Sequence, residues 1–492
     1  MYAASTFPPY PALMRHGALS GLRHRSPVHG LDRRHLGPPE VLAQSVSSAA
    51  PAAAMAAAPA IAATTAGSGT IWSFVIATVV SLLIGSCIGR FTRRMAVAGS
   101  LYSLTAKGLG PAAAFTSGMA LLVGYGVLVM GALVGSATYV DALLGRLGVE
   151  ASGTVLVAAA IVLGALVTGG VLARVRLSAR VVLAAEAVSI MLMIVVFVVL
   201  LGVTPQVPAA VTGGSGVGGI AAGVLPALSA FIGFEAATAL GVEARRPFRT
   251  IPRVVQWTAG VAGVLYLFAT FTQMTGFART GLATVDEPVP ALALALGQPW
   301  LALLLDLGIA LSFAACALAT LNALVRVVFS MARDGIAPAA LGATHPRRQI
   351  PHVAIAVVVP VVVVVPVALL ASGLPAAQVL ADLLTLATVG YLVAYLLVCL
   401  AAPFFLRRIG ELTPVPVVVT AVLVPVLLVV LVAFVVSAWG GVVPLAIGAL
   451  IVVGLAWLLW LRRRRSAQLA AIGVYDETVT ADVLGGHEGS PL

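Results

Sequence analysis

Long apolar runs fill the chain between about residues 41 and 461, separated by short connections that carry nearly all of the arginine. A bilayer core about 30 Å thick takes roughly 20 apolar residues of helix to cross. Twelve segments meet that length, at approximately 41–64, 70–89, 111–140, 153–173, 180–203, 218–242, 254–277, 300–329, 353–371, 377–403, 415–438 and 442–461. The ninth and eleventh are rich in valine and favour strands by propensity. Their length, and the need to satisfy every backbone group inside lipid, favour helices instead. The predicted fold is an all-α polytopic membrane protein with twelve transmembrane helices in a domain at 41–461.

Composition agrees with these runs. Of 492 residues 61% are hydrophobic and 9% charged, with a mean hydropathy of +1.10. A soluble domain carries roughly 25% charged residues, so a soluble enzyme of this length is excluded. The net charge of +11 raises nucleic acid as a partner until the positions of the charges are read. Cytoplasmic loops carry the excess of Lys and Arg. With both termini inside, the inner connections hold Arg90, Arg93, Arg94, Lys107, Arg174, Arg176, Arg180, Arg245, Arg246, Arg249, Arg253, Arg326, Arg333, Arg347, Arg348, Arg407 and Arg408. The tails add Arg15, Arg23, Arg25, Arg33, Arg34 and Arg462 to Arg465, and only Arg146 and Arg279 fall outside. This 26 to 2 split supports twelve spans in the cell membrane with both termini cytoplasmic. It assigns the basic charge to topology and to anionic lipid on the inner face, with no nucleic-acid partner.

Residues 1–40, rich in Pro, His, Arg and Ser, lack the apolar region of a signal peptide and are expected to form a disordered cytoplasmic arm. Residues 462–492 read as a polar cytoplasmic tail. Cys87, Cys316 and Cys399 lie in apolar runs, where free cysteine behaves as a small hydrophobe. Their odd number argues against a disulfide framework or zinc site. All seven histidines lie outside the runs, which leaves no haem or metalloprotease centre within the bilayer. No metal, no cofactor and no enzymatic activity are expected. Gly214 to Gly219 fits G-x-G-x-x-G, but without a preceding strand it reads as a flexible linker. Gly131 and Gly135 form a G-x-x-x-G that reads as a close helix contact.

A protein that moves solutes needs a polar site within the membrane, and discontinuous helices supply one by exposing helix ends there. Span 1 carries Pro51 in the weakly apolar stretch Ser45 to Ala54, and span 6 carries Pro226 and Gly233, five spans later. That offset is the one expected of an inverted repeat of spans 1–5 and 6–10. Carboxylates inside spans are costly and are functional candidates by default. Four qualify: Glu186, Glu235, Asp306 and Asp382. Glu235 follows the break of span 6 and, on a regular helix, shares a face with Phe231 and Thr238. Asp306 and Asp382 lie near the outer ends and are expected to reach interfacial water. Glu186 lies near the cytoplasmic end, in reach of Arg180 or Arg174.

Phe231-Ile232-Gly233-Phe234-Glu235, followed by Glu243 to Arg253, resembles the span 6 signature of the amino acid-polyamine-organocation permeases. Met331 to Pro338, with His345-Pro346-Arg347 and Ile350-Pro351-His352, resembles that family's loop between spans 8 and 9. Ala98 to Tyr102, Gly108 to Pro111 and Gly124-Tyr125 match its segment between spans 2 and 3. The resemblance implies a 5+5 inverted repeat with broken helices 1 and 6, two appended helices, and a substrate site between spans 1, 3, 6, 8 and 10. The chain departs from the family at span 1, where a glycine-rich break is replaced by Ser-Ala-Pro-Ala.

The expected activity is secondary transport of an amino acid or related amine by alternating access. The expected substrate-binding residues are Ser48, Ala52, Ala53, Ala54, Tyr125, Ala230, Phe231, Ile232, Gly233 and Tyr391. A substrate carboxylate is expected at the N–H groups of Ala52 to Ala54, the positive end of a half-helix. Its ammonium is expected at carbonyls freed near Ala230 to Gly233, with Phe231 as an aromatic gate. Glu235 and Glu186 are the coupling candidates: Glu235 either binds a proton, because burial penalises an ionised carboxyl group, or is a permanent structural anchor for the broken helix. Span 5 has no lysine to stand in for a bound cation, and span 8 offers Ser312 and Thr320 but no adjacent hydroxyl pair, which favours protons over sodium. A transporter-like scaffold or nutrient sensor without turnover is the main alternative. A channel or membrane enzyme is the third reading. The sequence assigns no oligomeric state.

Overall fold

The computed structural model describes residues 26–149, 153–173, 175–203, 216–280 and 288–476. In chain order its helices are α1 (Pro38–Ala49), α2 (Pro51–Ala66), α3 (Thr70–Thr92), α4 (Ser100–Leu109), α5 (Pro111–Arg146), α6 (Gly153–Leu172), α7 (Val175–Val203), α8 (Val217–Ser229), α9 (Pro247–Thr280), α10 (Pro288–Ala295), α11 (Pro299–Arg333), α12 (His352–Ala371), α13 (Ala376–Arg408), α14 (Pro414–Ser437), α15 (Val442–Arg464) and α16 (Ser466–Ala470). The described residues contain one isolated bridge, Leu36 to Ala244, and no strand.

Ten helical stretches among the described residues are long and apolar enough to cross a membrane, against twelve read from the sequence. The difference arises at the helical connection Gly67–Gly69 and at the break of span 6. Spans 1 and 2 fall within one stretch of 55 residues, Pro38–Thr92. Span 6 has only the 13 helical residues of α8, about 20 Å of rise, before the chain unwinds. Outward faces of the bundle are apolar, as lipid contact requires: Val418, Val429 and Val452 are more than 60% exposed. Inside, α5 packs lengthwise against α11 and α13, while α1, α2 and α8 close over the same centre. The close contact expected at Gly131 and Gly135 is seen, since a Cβ at Gly135 would meet the Phe313 ring at 2.7 Å.

Part of the segment expected to be a disordered arm is ordered and packed. Positions 1–25 lie outside the described residues, but Val28, Leu31 and Leu36 are buried, the first two against Ala98, Val242 and Phe329. Apolar anchors among polar neighbours are enough to seat this stretch at the arginine-rich end of the bundle. Leu36 N–H donates to Glu243 O (2.9 Å), and Arg245 N–H donates to Leu36 O (2.8 Å). The C-terminal tail joins the same place. Gly473 and Val474 N–H donate to Asp334 (3.2 and 3.0 Å), which also accepts from Tyr102 (2.5 Å). Burial pushes the Asp334 carboxyl up, against the pull of these donors. Asp476 pairs with Arg33 at 2.8 Å; residues 477–492 lie outside the described part.

Two further expectations change. Asp306 is fully buried and ion-paired with Arg146 at 2.5 Å, and so does not rest in interfacial water. Asp382 is half-buried. Of the 214–219 stretch read as a linker, Gly214 and Ser215 lie outside the described residues, while Gly218 and Gly219 belong to α8. Arg174 and the side chains of Arg176 and Arg279 also lie outside them.

Candidate functional site

The site forms where two interrupted helices meet. Pro51 has no N–H, so it cannot continue the ladder of α1, and its fixed φ suits the first turn of α2. Ala50 absorbs the change of direction in the left-handed region, with φ +46. In the other segment α8 ends at Ser229, residues 230–235 pass through turns, and a short 3-10 turn covers Ala236–Leu240. Gly233 sits in these turns at φ +92, with Ser48 O only 2.5 Å from where a Cβ would stand. Only glycine meets both conditions without strain. Ser45 Oγ donates to Phe234 O across the same seam.

Unwinding re-aims the side chains that a continuous helix would align. Phe231 does not share a face with Glu235. Its ring packs edge-on against Tyr266 at 4.9 Å, and Tyr266 donates to the freed Ala230 carbonyl at 2.8 Å. Ile232 is buried beside it. Glu235 points elsewhere, accepting hydrogen bonds from Tyr125 (2.9 Å) and from Tyr395. Tyr395 in turn accepts the Gly233 N–H at 3.3 Å. Ser100 lies 2.9 Å from the Tyr125 hydroxyl and 2.7 Å from Thr238 Oγ1. Each hydroxyl carries one proton. With Tyr125 donating to Glu235, Ser100 donates to Tyr125 and Thr238 to Ser100. Tyr391 packs edge-on against Tyr125, 5.2 Å between centroids, and its buried hydroxyl has no hydrogen-bond partner among the described residues.

A second polar cluster lies on the other side of Ser48. Ser48 Oγ is 2.9 Å from Thr320 Oγ1, and Cys316 Sγ donates to Ser48 O at 3.2 Å. One turn further along α11, Ser312 donates to Glu186 Oε1 at 3.0 Å. Glu186 is fully buried and therefore does not pair with Arg180, whose carboxylate partner is Glu40 at 3.6 Å. The N–H groups expected to face a substrate carboxylate are engaged from within. Ala52 N–H donates to Glu186 Oε1 (3.5 Å), Ala53 N–H to Ser312 Oγ (3.3 Å), and Ala54 N–H to Ala50 O (3.0 Å). Among the described residues no cationic side chain hydrogen-bonds or ion-pairs with Glu186 or Glu235.

The structure thus brings together Ser48, Tyr125, Gly233, Glu235 and Tyr391, and separates Phe231 from Glu235. Sequence reasoning missed Ser100, Tyr266, Cys316 and Tyr395. Tyr395 and Cys316 had a usable signal, since Tyr395 follows Tyr391 by four residues and Cys316 stands four residues from both Ser312 and Thr320, each on a shared helix face.

Interrupted helices that meet at a buried polar centre within an apolar bundle define a class of multi-span membrane proteins in which solutes are bound at such breaks. The comparisons narrow the class. The amino acid permease family profile matches residues 36–461, and the chain belongs to that family, within the amino acid-polyamine-organocation superfamily. Branched-chain amino acid permease BcaP of Bacillus subtilis (strain 168) is 29% identical over 313 residues, 59% of this chain and 66% of the relative. Methylthioribose transporter of the same organism is 27% identical, with 59% and 65% covered. Cationic amino acid transporter 4 of Mus musculus is 29% identical, with 59% and 48% covered. The chain therefore spans between about half and two thirds of the length of these relatives. A crystal structure of the Eremococcus coleocola manganese transporter, with an aromatic bis-isothiourea substituted compound, superposes with a TM-score of 0.50 at 14% identity. It covers 88% of this chain and 95% of that one, and it supports the fold alone.

Proposed function

We propose that the protein is a secondary transporter of amino acids or related amines in the cell membrane, working by alternating access. The observation that carries this reading is the contact between the two helix breaks, Gly233 against Ser48, flanked by buried glutamates that have no cationic partner among the described residues. In the proposed topology the 55-residue stretch forms spans 1 and 2, and α8 with its unwound continuation forms span 6. This gives twelve spans in a 5+5 repeat with two appended helices. Both termini and the arginine-rich end are cytoplasmic, against anionic lipid. Relatives named for branched-chain and cationic amino acids support the substrate class.

Glu235 is the proposed proton carrier. Its donors are hydroxyls, and a hydroxyl can donate to a carboxylate or accept from a carboxylic acid, so both protonation states can be served in place. Ser48, Tyr125 and Tyr391 line the proposed substrate position, with Phe231 and Tyr266 as its aromatic wall. The test is uptake into proteoliposomes after a thermal-shift screen of amino acids and amines. A ligand that stabilises the protein is expected to be taken up faster under an inward proton gradient than under a sodium gradient at symmetric pH. Equal uptake under both removes the proton assignment. Stabilisation without any uptake favours the sensor reading.

A further inference from the structure

We propose that Glu186 occupies, from within, the anion subsite that a substrate carboxylate would take, so that this protein prefers amines lacking the α-carboxylate over their amino-acid counterparts. The inference rests on the transport reading and narrows its substrate class. α2 has 16 residues, and its positive end attracts an anion. That end is already served. Pro51 offers no N–H, Ala52 N–H points to Glu186 Oε1, and Ala53 N–H points to Ser312 Oγ, which itself donates to the same Oε1. The next N–H, of Ala54, closes the first helical turn. No donor at the helix start is left for a second carboxylate. The other oxygen, Glu186 Oε2, is buried without a hydrogen-bond partner among the described residues. The carboxyl group also borders a cavity of about 620 Å³ walled by apolar side chains such as Leu42, Val46 and Ile190, with Thr250, Thr258 and Arg253 also on its lining.

Charge points the same way. Ser312, Cys316 and Thr320 follow one another at four-residue spacing on one face of α11. They link Glu186 to Ser48, and Ser48 meets Gly233 beside the Glu235 cage. Both ends of this polar path are carboxylates, and neither has a cationic partner among the described residues. An ammonium entering between them is attracted by both. An α-carboxylate carried in with it finds the Ala52 N–H already engaged, and is repelled whenever Glu186 is ionised, because like charges on one buried site disfavour each other's ionised form.

The experiment uses the purified full chain and matched ligand pairs: arginine and agmatine, lysine and cadaverine, leucine and 3-methylbutylamine, with leucine methyl ester as a neutralised acid. In the wild type each amine, and the ester, is expected to bind more tightly than the parent amino acid. In Glu186→Gln the preference is expected to shift toward the amino acids by about tenfold or more, the scale of one like-charge interaction at a buried group. Wild-type binding of amino acids as tight as, or tighter than, that of their partners overturns the inference. So does an unchanged preference in Glu186→Gln. If that variant does not fold, the wild-type pairs and the ester still decide. Binding of none of the seven compounds overturns the transport reading itself, and this inference with it.

Discussion

Glu235 and Glu243 lie eight positions apart on one segment, both buried, and are satisfied in opposite ways. Glu243 forms a fork with Arg326, at 2.7 and 3.0 Å, and Arg326 also donates to Asn322 O at 2.8 Å. Glu235 has two tyrosine hydroxyls and, behind them, Ser100 and Thr238. A guanidinium has donors and no acceptor, so it suits only the ionised carboxylate. A hydroxyl cage suits either form. The difference assigns the first glutamate to holding the segment in place, next to the Leu36 pairing, and the second to responding. Near one end of the unwound stretch charge is neutralised permanently, and in its middle it is left open to a proton or a substrate cation.

The largest expected effect falls on the fixed pair. Arg326→Ala leaves an uncompensated buried carboxylate, and such breaks cost about 3–5 kcal/mol. Thermal unfolding of the purified variant should show the largest loss of any single change in this region. The double change Arg326→Met with Glu243→Met should recover part of it, because removing both charges also removes the desolvation cost. A loss no greater than that of Glu235→Gln would break the comparison.

Next is the hinge two residues before Glu235. Gly233→Ala must hold a positive φ and move Ser48 O from 2.5 Å, and strain of this kind costs about 1–3 kcal/mol. Because the clash lies between the two breaks, ligand-induced stabilisation should fall together with the melting temperature. Full ligand response in a merely less stable variant would separate the hinge from the site.

Of the same order is Tyr395→Phe, which removes one donor to Glu235 and the acceptor of Gly233 N–H. An unsatisfied buried polar group costs about 1–3 kcal/mol. Uptake should also lose part of its dependence on external pH, since one member of the cage is gone. An unaltered pH profile would indicate that Glu235 is as static as Glu243.

How much of this was legible in the sequence differs between the two glutamates. Both breaks could be read, because Pro51 and Gly233 act on their own backbone, and Glu235 stood out as a charge in an apolar run. Its surroundings could not be read, because Tyr395 reaches it from 160 residues away and Ser100 reaches it only through Tyr125. Periodicity failed at Phe231, since helix-face reasoning assumes a helix and the chain there is in turns. Glu186 was found as a residue but misassigned to an arginine, because nothing local indicates that α7 carries it to the start of α2. The buried stretch after Ser26 was hidden for another reason: two apolar anchors, Val28 and Leu31, among polar residues resemble a solvated tail until their receptors, Ala98, Val242 and Phe329, are assembled around them.

The smallest stability effect, and the one that most sharpens the distinction between holding and responding, is expected at Tyr391. Its hydroxyl is buried without a partner among the described residues, while its ring packs on Tyr125 and Tyr395. An unmade hydrogen bond carries a desolvation cost and returns nothing, so replacing such a group by an apolar one of the same shape is nearly neutral or stabilising. Tyr391→Phe should therefore leave the melting temperature of the ligand-free protein unchanged or slightly raised. If the hydroxyl is held for a substrate, the variant should lose ligand-induced stabilisation, about 0.5–1.5 kcal/mol for one hydrogen bond. An equal loss with and without ligand would place Tyr391 with Arg326, among the residues that hold the bundle together.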